Sequence, residues 1–434
     1  MPRRTVCLFL MLGAFFLLAA ARDKTPKDPI FNQIASIVNS LSAISGLEEE
    51  HPVRYGRMDK AHLRQFLAKR IKKSIKPYEI RADELALKMF GLVPRNFDLK
   101  KSTLDLLTEQ AAAFYDYDTK KLYLLNSDPP EDETTTLAHE LAHALADQHF
   151  NLGRFIDEEP SNDDEDLAHT SVVEGEASWL MIAYDLKLAG DPPVPTPEML
   201  KSVLDSNEDS SDDYPILKSS PLYIQQSLLF PYTEGALFFN AVFKRVGKQA
   251  FTAVFTNPPV DSAQVMQPEK YFLHSAPLRP RLPKLDVPGG SKKVAGGVFG
   301  EFDHEMLMRQ YLGEAEARAL SPHLLGGTYV IVAAGKQRQP VLEYASAWDT
   351  PQHASRFFAD YEEILKGKWT SCDPTVSSGS LFAGVAENGF FVVRVAANVV
   401  TSVEGLPDVN EWQRLKRIPI TDRAGRALFM AASN

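Results

Sequence analysis

The chain has 434 residues, of which 44% are hydrophobic and 24% are charged, and its formal net charge is -10. This composition is typical of a globular protein and excludes a largely disordered chain or a bundle of membrane helices. The acidic balance argues against nucleic acid as a partner, because a surface that binds nucleic acid needs clustered cations. The length predicts two or three domains.

The first 21 residues have the pattern of a secretory signal peptide. Arg3 and Arg4 precede an uninterrupted apolar run over residues 5–18, and small residues follow before a charged segment. We therefore expect an exported protein, periplasmic or extracellular. The alternative is an uncleaved membrane anchor, although the apolar run is shorter than the ~20 residues that a spanning helix needs. Removal of the signal would leave Cys372 as the one cysteine, so no intramolecular disulfide is expected.

The elements before the middle of the chain follow from hydrophobic periodicity. Apolar residues at helical spacing, such as Ile34, Ile37 and Leu41, indicate a helical N-terminal region over residues 22–92. Next, the alternation in "QAAAFYDYDTKKLYLLN" predicts a β-hairpin between Phe114 and Leu125.

Two helices should come directly after this hairpin. The first runs through "TLAHELAHALADQHF" to Phe150, because apolar and small residues continue there without proline. The second begins near Asp163 to Asp166 and ends at Gly190, and it contains "SVVEGEASWL". "LLFPYTEGALFFNAVFKRVG" then predicts a further core helix.

Proline, glycine and lysine become frequent after this helical part, and we interpret residues 286–300 as a linker. The segments "YVIVAAG", "VLEYASAW" and "GFFVVRVAANVVTSVEG" indicate strands, and "TPQHASRFFADYEEILKG" indicates a helix. Residues 301–434 should therefore form a small α+β C-terminal domain. The fold class of the whole chain is α+β, with a mainly helical core over residues 93–285.

The chemistry of the first helix depends on the pattern H-E-x-x-H at His139, Glu140 and His143. Residues four apart project from one face of a helix, so two imidazoles can bind one ion while Glu140 lies beside them. Zinc suits imidazole and carboxylate ligands, and it lowers the pKa of a bound water to about 7. A neighbouring carboxylate can then take the proton of that water as it attacks a carbonyl group. The pattern thus predicts a zinc site for amide hydrolysis.

Two residues could complete the zinc site. His149 has the spacing of the third histidine in H-E-x-x-H-x-x-G-x-x-H, but the glycine that ends the helix in that pattern is replaced by Ala146. If the helix continues, six residues move His149 about 9 Å along the axis from His143. The alternative is Glu174 from the next helix, and we take this carboxylate as the third ligand.

The surroundings of Glu174 suggest further roles. Gly175 costs about 1 kcal/mol in a helix interior, which close backbone approach between the His139 helix and the Glu174 helix would explain. Glu176 lies two positions on and should face elsewhere. Ser178 and Asp147, each one turn from a ligand, are candidates for hydrogen bonds to the ligand histidines.

These residues resemble the gluzincin class of zinc metallopeptidases, whose third ligand is a glutamate on a later helix. In particular, "AHELAHALADQHF", "VVEGEA", "FPYTEGALFF" and "PPVDSAQVMQPEKYF" are similar to motifs of secreted bacterial proteins with a minigluzincin-like core. The resemblance covers about residues 86–285, with a weaker similarity at "SAWDTPQHASRFF". It departs before Pro268, where Gln267 occupies the place of a histidine.

The resemblance implies a zincin-like metallopeptidase core in which an edge strand before the metal helix binds an extended peptide by main-chain hydrogen bonds. It also implies a Tyr or His that stabilises the oxyanion, for which Tyr232 and His274 are candidates. We expect a secreted zinc metallopeptidase that acts on a peptide or protein. The alternatives are a zincin that uses His149 and a metal-stabilised binding protein without activity. The sequence leaves the substrate and the oligomeric state open.

Overall fold

The computed structural model describes residues 29–126, 133–157, 160–202, 214–417 and 429–430. The predicted signal peptide lies outside these residues. Among the helices that are described, none combines the length and the hydropathy needed to cross a membrane.

The first part of the chain is mainly helical, as the periodicity predicts, and has one small sheet. Its helices and strands are, in chain order, α1 (Ile34–Ser45), β1 (Arg54–Met58), α2 (Lys60–Ser74), α3 (Pro77–Phe90), α4 (Leu99–Gln110), β2 (Ala113–Asp116), β3 (Lys121–Leu125), α5 (Glu133–Phe150), α6 (Leu152–Asp157), α7 (Asp163–Ala189), α8 (Pro215–Ser219), α9 (Leu222–Val246), α10 (Ala250–Thr256), α11 (Ser262–Met266) and α12 (Pro268–Phe272).

The predicted hairpin is present as β2 and β3, and it belongs to a three-stranded sheet with the order β1-β3-β2. Strand β1 pairs in parallel with β3, from Arg54 opposite Lys121 to Met58 opposite Leu125. This strand lies in the region predicted to be helical, where its five residues carry no helical pattern of their own. Strand β2 is therefore an edge of the sheet, which becomes important at the site.

Helix α7 is the centre of the helical part. Its N-cap is Asn162, whose side chain accepts hydrogen bonds from the backbone of Asp164 and Glu165, and it ends at Gly190 in the left-handed conformation. Every residue from Asp166 to Leu180 is buried, because α7 packs against α5, α9 and α1. Buried hydroxyl groups such as that of Ser171 bond to backbone carbonyls of the same helix.

The second part of the chain is the predicted α+β region. Its helices and strands are, in chain order, β4 (Arg279–Pro280), β5 (Ser291–Val298), α13 (Glu301–Leu312), α14 (Glu314–Leu320), β6 (Leu324–Ala334), β7 (Gln339–Trp348), α15 (Pro351–Lys368), β8 (Cys372–Ser378), β9 (Leu381–Ala386), β10 (Gly389–Ala396), β11 (Val399–Leu406), α16 (Val409–Leu415) and β12 (Phe429–Met430). Seven strands form an antiparallel sheet with the order β5-β6-β7-β11-β10-β9-β8.

Residues 286–300, which composition indicated as a linker, include β5, an edge strand of this sheet. Its first residues are exposed and include Lys292 and Lys293, and exposed lysines are a common protection of sheet edges. The two parts of the chain also share one hydrophobic core. At their contact Phe90 of α3 stacks on Phe299 with ring centroids 4.0 Å apart.

Candidate metal centre

Three side chains from α5 and α7 converge at the centre of the helical part. Nε2 of His139 lies 3.1 Å from Nε2 of His143 and 3.2 Å from Oε2 of Glu174. The remaining distance, from Nε2 of His143 to the same carboxylate oxygen, is 3.3 Å. The structure thus brings together the three residues that the sequence analysis predicts as ligands.

The dimensions of this triangle fit a tetrahedral zinc ion. Zinc bonds to imidazole nitrogen and carboxylate oxygen are about 2.0–2.2 Å long, so two ligand atoms of a tetrahedral site lie roughly 3.3–3.5 Å apart. The three observed distances fall within about 0.3 Å of this span. Two imidazoles and one carboxylate are also a donor set of catalytic zinc sites, which leave the fourth position for water or substrate.

The position of Glu174 depends on the contact of α7 with α9. A Cβ atom at Gly175 would lie 2.1 Å from the carbonyl carbon of Gly235, and one at Gly235 would lie 2.3 Å from the carbonyl oxygen of Ser171. The close backbone approach predicted for Gly175 is therefore present, but its partner is α9. The expectation that Gly175 contacts the helix of His139 was wrong, because a helical glycine indicates a close approach without indicating which neighbour makes it.

Glu140 lies beside the triangle and is almost fully buried. Burial raises the pKa of this carboxyl group, and the charges of His143 and His139 oppose the rise only in part. Its carboxylate accepts a hydrogen bond from the backbone N–H of Tyr115 in β2. Since a general base is most effective when its pKa approaches the working pH, this environment suits proton transfer.

Strand β2 forms the rim of the site. Leu125 donates its backbone N–H to the carbonyl of Ala112, so the backbone groups of Ala112 face β3. Backbone groups of alternate residues in a strand point to opposite sides. Ala113 and Tyr115 therefore direct their backbone groups away from β3. In the part of the chain that the structure describes, no strand pairs with this side of β2.

Asp147 holds this rim against α5. Its carboxylate accepts hydrogen bonds from the hydroxyl of Tyr115 at 2.9 Å, from Nζ of Lys120 at 2.7 Å and from the backbone of Leu152 at 3.0 Å. The expectation that Asp147 bonds a ligand histidine was wrong, because these three donors occupy it. Its position one turn beyond His143 points it at the hairpin, which periodicity alone could not show.

Tyr232 of α9 lies over the ligands, as the resemblance suggested. Its ring stacks on that of His139 with centroids 5.9 Å apart. Burial raises the pKa of its hydroxyl group well above the usual value, and the charge of Glu174 and a hydrogen bond to this residue raise it further. Tyr232 is thus a neutral hydroxyl donor at the site.

Nδ1 of His143 and the carboxyl group of Glu176 are buried without a hydrogen-bond partner among the described residues. Burial raises the pKa of Glu176 to about 8, and the charge of His143 opposes this rise. Glu176 does not line the cleft, in agreement with the expectation that it faces elsewhere than Glu174. Ser178 lines the cleft, and its hydrogen bond to a ligand histidine stays a prediction.

The other two candidate histidines lie elsewhere. Nε2 of His149 donates a hydrogen bond to the backbone carbonyl of Glu48, 2.9 Å away, as expected if α5 continues past Ala146. His274 is exposed, follows the short helix α12 and has a positive φ of 50°. It does not line the cleft, so its assignment as an oxyanion group was wrong. The resemblance suggested a Tyr or His as the oxyanion group, but His274 follows the end of α12 and is exposed to solvent.

The centre lies in a cleft of about 370 Å³. Its lining residues come from β2, α5, α7 and α9 and include the three ligands, Glu140, Tyr232 and Tyr117. The hydroxyl of Tyr117 is buried and has no hydrogen-bond partner among the described residues. Tyr117 was not predicted from the sequence, although its position in the hairpin that precedes α5 could have indicated a place near the ligands.

Comparisons with models of protein families, with curated proteins and with solved structures gave no match.

Proposed function

We propose that the protein is a secreted zinc-dependent metallopeptidase that hydrolyses peptide bonds. The observation that carries the proposal is the triangle of His139, His143 and Glu174, whose edges fit one zinc ion, next to the buried carboxylate of Glu140. A metal that served only to stabilise the fold would need no carboxylate beside its ligands. The predicted signal peptide supports export.

A zinc ion held by His139, His143 and Glu174 would supply a water molecule with a pKa of about 7 and would polarise a carbonyl oxygen. Glu140 accepts one proton of the attacking water as the new carbon–oxygen bond forms. When the carbon–nitrogen bond breaks, the same carboxyl group gives that proton to the leaving amine. The buried position of Glu140, which raises its pKa, favours both transfers.

The substrate would bind as an additional strand along β2. The backbone groups of Ala113 and the carbonyl of Tyr115 on the side away from β3 can pair with an extended peptide. Because Tyr115 also donates its N–H to Glu140, β2 links the peptide and the base directly. Asp147 keeps this strand in place through Tyr115 and Lys120.

Two hydroxyl groups are available for the negative charge that develops on the carbonyl oxygen. Tyr232 lies over His139 on one side of the cleft, and Tyr117 lines the same cleft from the hairpin side. A hydroxyl that donates to the oxyanion stabilises the transition state, and loss of one such donor typically slows catalysis 10²- to 10³-fold.

Zinc analysis combined with peptide cleavage tests the proposal. Glu140→Gln should keep one equivalent of zinc at the centre and lose cleavage of a quenched fluorescent peptide library, because the ligands remain and the base is absent. Glu174→Ala should lose this zinc. His149→Ala is the matched control and should keep both zinc and activity, since His149 contacts Glu48.

Unchanged zinc content in Glu174→Ala would show that the ligand assignment is wrong. Zinc-loaded protein that cleaves no member of the library or unfolded protein would instead support a metal-stabilised binding protein.

A further inference from the structure

A second cluster of metal-binding residue types lies in the C-terminal α+β part. It consists of His323, Asp349 and His353, and one donor atom from each lies within 4.8 Å of the other two. His323 ends a short 3-10 turn before β6, Asp349 follows β7, and His353 is in the first turn of α15. None of them lines the cleft around His139.

The backbone holds the three residues in place without help from the imidazoles. The backbone N–H of Asp349 donates to the carbonyl of His323 at 3.0 Å. Thr350 caps α15, and its hydroxyl accepts from the backbone N–H of His353 at 3.2 Å. A site whose backbone is fixed in this way loses little conformational entropy when it binds an ion.

The side chains form a paired arrangement around one carboxylate. Asp349 accepts from Nδ1 of His323 at 2.7 Å through one oxygen and from Nδ1 of His353 at 2.5 Å through the other. The two rings stack with centroids 3.7 Å apart and planes 26° from parallel. Both imidazoles face the carboxylate through Nδ1, so an ion that replaced the two hydrogens there would have Nδ1 of each ring and an oxygen of Asp349 as its ligands.

We propose that His323, Asp349 and His353 together bind a late transition-metal ion such as zinc, nickel or copper at a site separate from the His139 centre. Imidazole nitrogen favours these ions, whereas calcium and magnesium need oxygen ligands. Zinc bonds of about 2.0–2.2 Å place two ligand atoms roughly 3.3–3.5 Å apart, so the N–O contacts of 2.7 and 2.5 Å would open by about 1 Å or less to admit an ion. The side chains are 27% to 38% exposed, so an ion can reach them from solvent.

This site has a structural consequence of its own. A bound ion would join the start of β6, the end of β7 and the first turn of α15. Binding to the folded state therefore stabilises the α+β part by mass action. The inference does not depend on peptidase activity.

Zinc stoichiometry of four full-length proteins tests the proposal by equilibrium dialysis and elemental analysis. The wild type should bind two equivalents, His353→Gln one, Glu174→Ala one, and the double variant none. Glutamine keeps the hydrogen-bonding capacity and helix propensity at position 353, and circular dichroism checks the fold. His62→Gln is the matched control, because His62 forms an exposed histidine–aspartate pair with Asp59 that has no second imidazole.

Thermal unfolding supplies a second measurement. Zinc should raise the Tm of Glu174→Ala and leave that of the double variant unchanged. The proposal is overturned if His353→Gln still binds two equivalents, or if the wild type binds only one and His353→Gln does not reduce it. If the double variant keeps one equivalent while His353→Gln loses one, the second site stands and the assignment of Glu174 fails.

Discussion

The glycine contact between α7 and α9 gives the sharpest test of how the site is positioned. In Gly175→Ala the new Cβ would lie 2.1 Å from the carbonyl carbon, 2.3 Å from the carbonyl oxygen of Gly235 and 2.7 Å from the nitrogen of Ala236. Ordinary contact begins at 3.4 Å, so the shortest contact is short by 3.4 - 2.1 = 1.3 Å. The obstacle is backbone, so the helices themselves must separate by about that distance.

The cost follows from two opposing terms. Overpacking of a filled core typically costs about 1–3 kcal/mol, and a backbone obstacle belongs at the upper end of that range. Alanine recovers about 1 kcal/mol of helix propensity. We expect the free energy of unfolding to fall by about 2 kcal/mol. Glu174 precedes the substituted residue, so a shift near 1 Å also moves its carboxylate from His139 and His143, and zinc affinity should fall about 10- to 100-fold.

Urea denaturation of the zinc-free protein measures the first effect, and competition with a chromophoric chelator measures the second. Gly153→Ala in α6 is the matched control. Its Cβ would lie 3.4 Å from the ring of Tyr117, which is ordinary contact, and it should cause neither effect. If Gly175→Ala unfolds at the same urea concentration as this control and binds zinc equally well, the close helix contact does not position Glu174 as described.

Three further predictions concern single groups. Tyr232→Phe should lower kcat about 10²-fold with little change in KM or zinc content, because the hydroxyl acts on the transition state; a change in KM alone would contradict this. Asp147→Ala should remove the carboxylate that pairs with Tyr115 and Lys120, and urea denaturation should show a destabilisation of about 3 kcal/mol. A loss below about 0.5 kcal/mol would show that other contacts hold the hairpin. Burial, with the charges of Asp163 and Glu79, raises the pKa of Asp83 to about 8. The folded state therefore keeps a proton that the unfolded state releases above about pH 4, and the free energy of unfolding falls by up to about 1.4 kcal/mol per pH unit between these two values. The stability gain of Asp83→Asn, measured at pH 5 and pH 8, should be larger at pH 8, and equal gains would contradict the raised pKa.

The parts of the structure that could be predicted are those set by local sequence. Helix α5 and the pairing of His139 with His143 follow from four-residue spacing and from an uninterrupted run of small and apolar residues. The limits of α7 follow from capping residues at both ends, including Gly190. The hairpin follows from alternation on both sides of a short polar turn.

The parts that could not be predicted depend on distant pairing. Strand β1 is held by parallel pairing with β3, and no pattern within β1 records that partner. Strand β5 is rich in lysine and glycine because it is an edge strand, and the same composition indicates a loop. Gly175 and Asp147 each contact a different partner from the one expected, because one-dimensional spacing gives the face of a helix and not its neighbour.

The edge position of β2 also has a consequence for which side chains of a peptide substrate would contact the cleft. A peptide aligned with this strand takes a two-residue period, so its side chains point alternately into the cleft and out to solvent. Selectivity along the peptide should then alternate, with strong preferences at every second residue and tolerance between them. If the proposed substrate pairs with β2, then Asp147, which holds this strand through Tyr115 and Lys120, would set the register of the peptide relative to the three ligands.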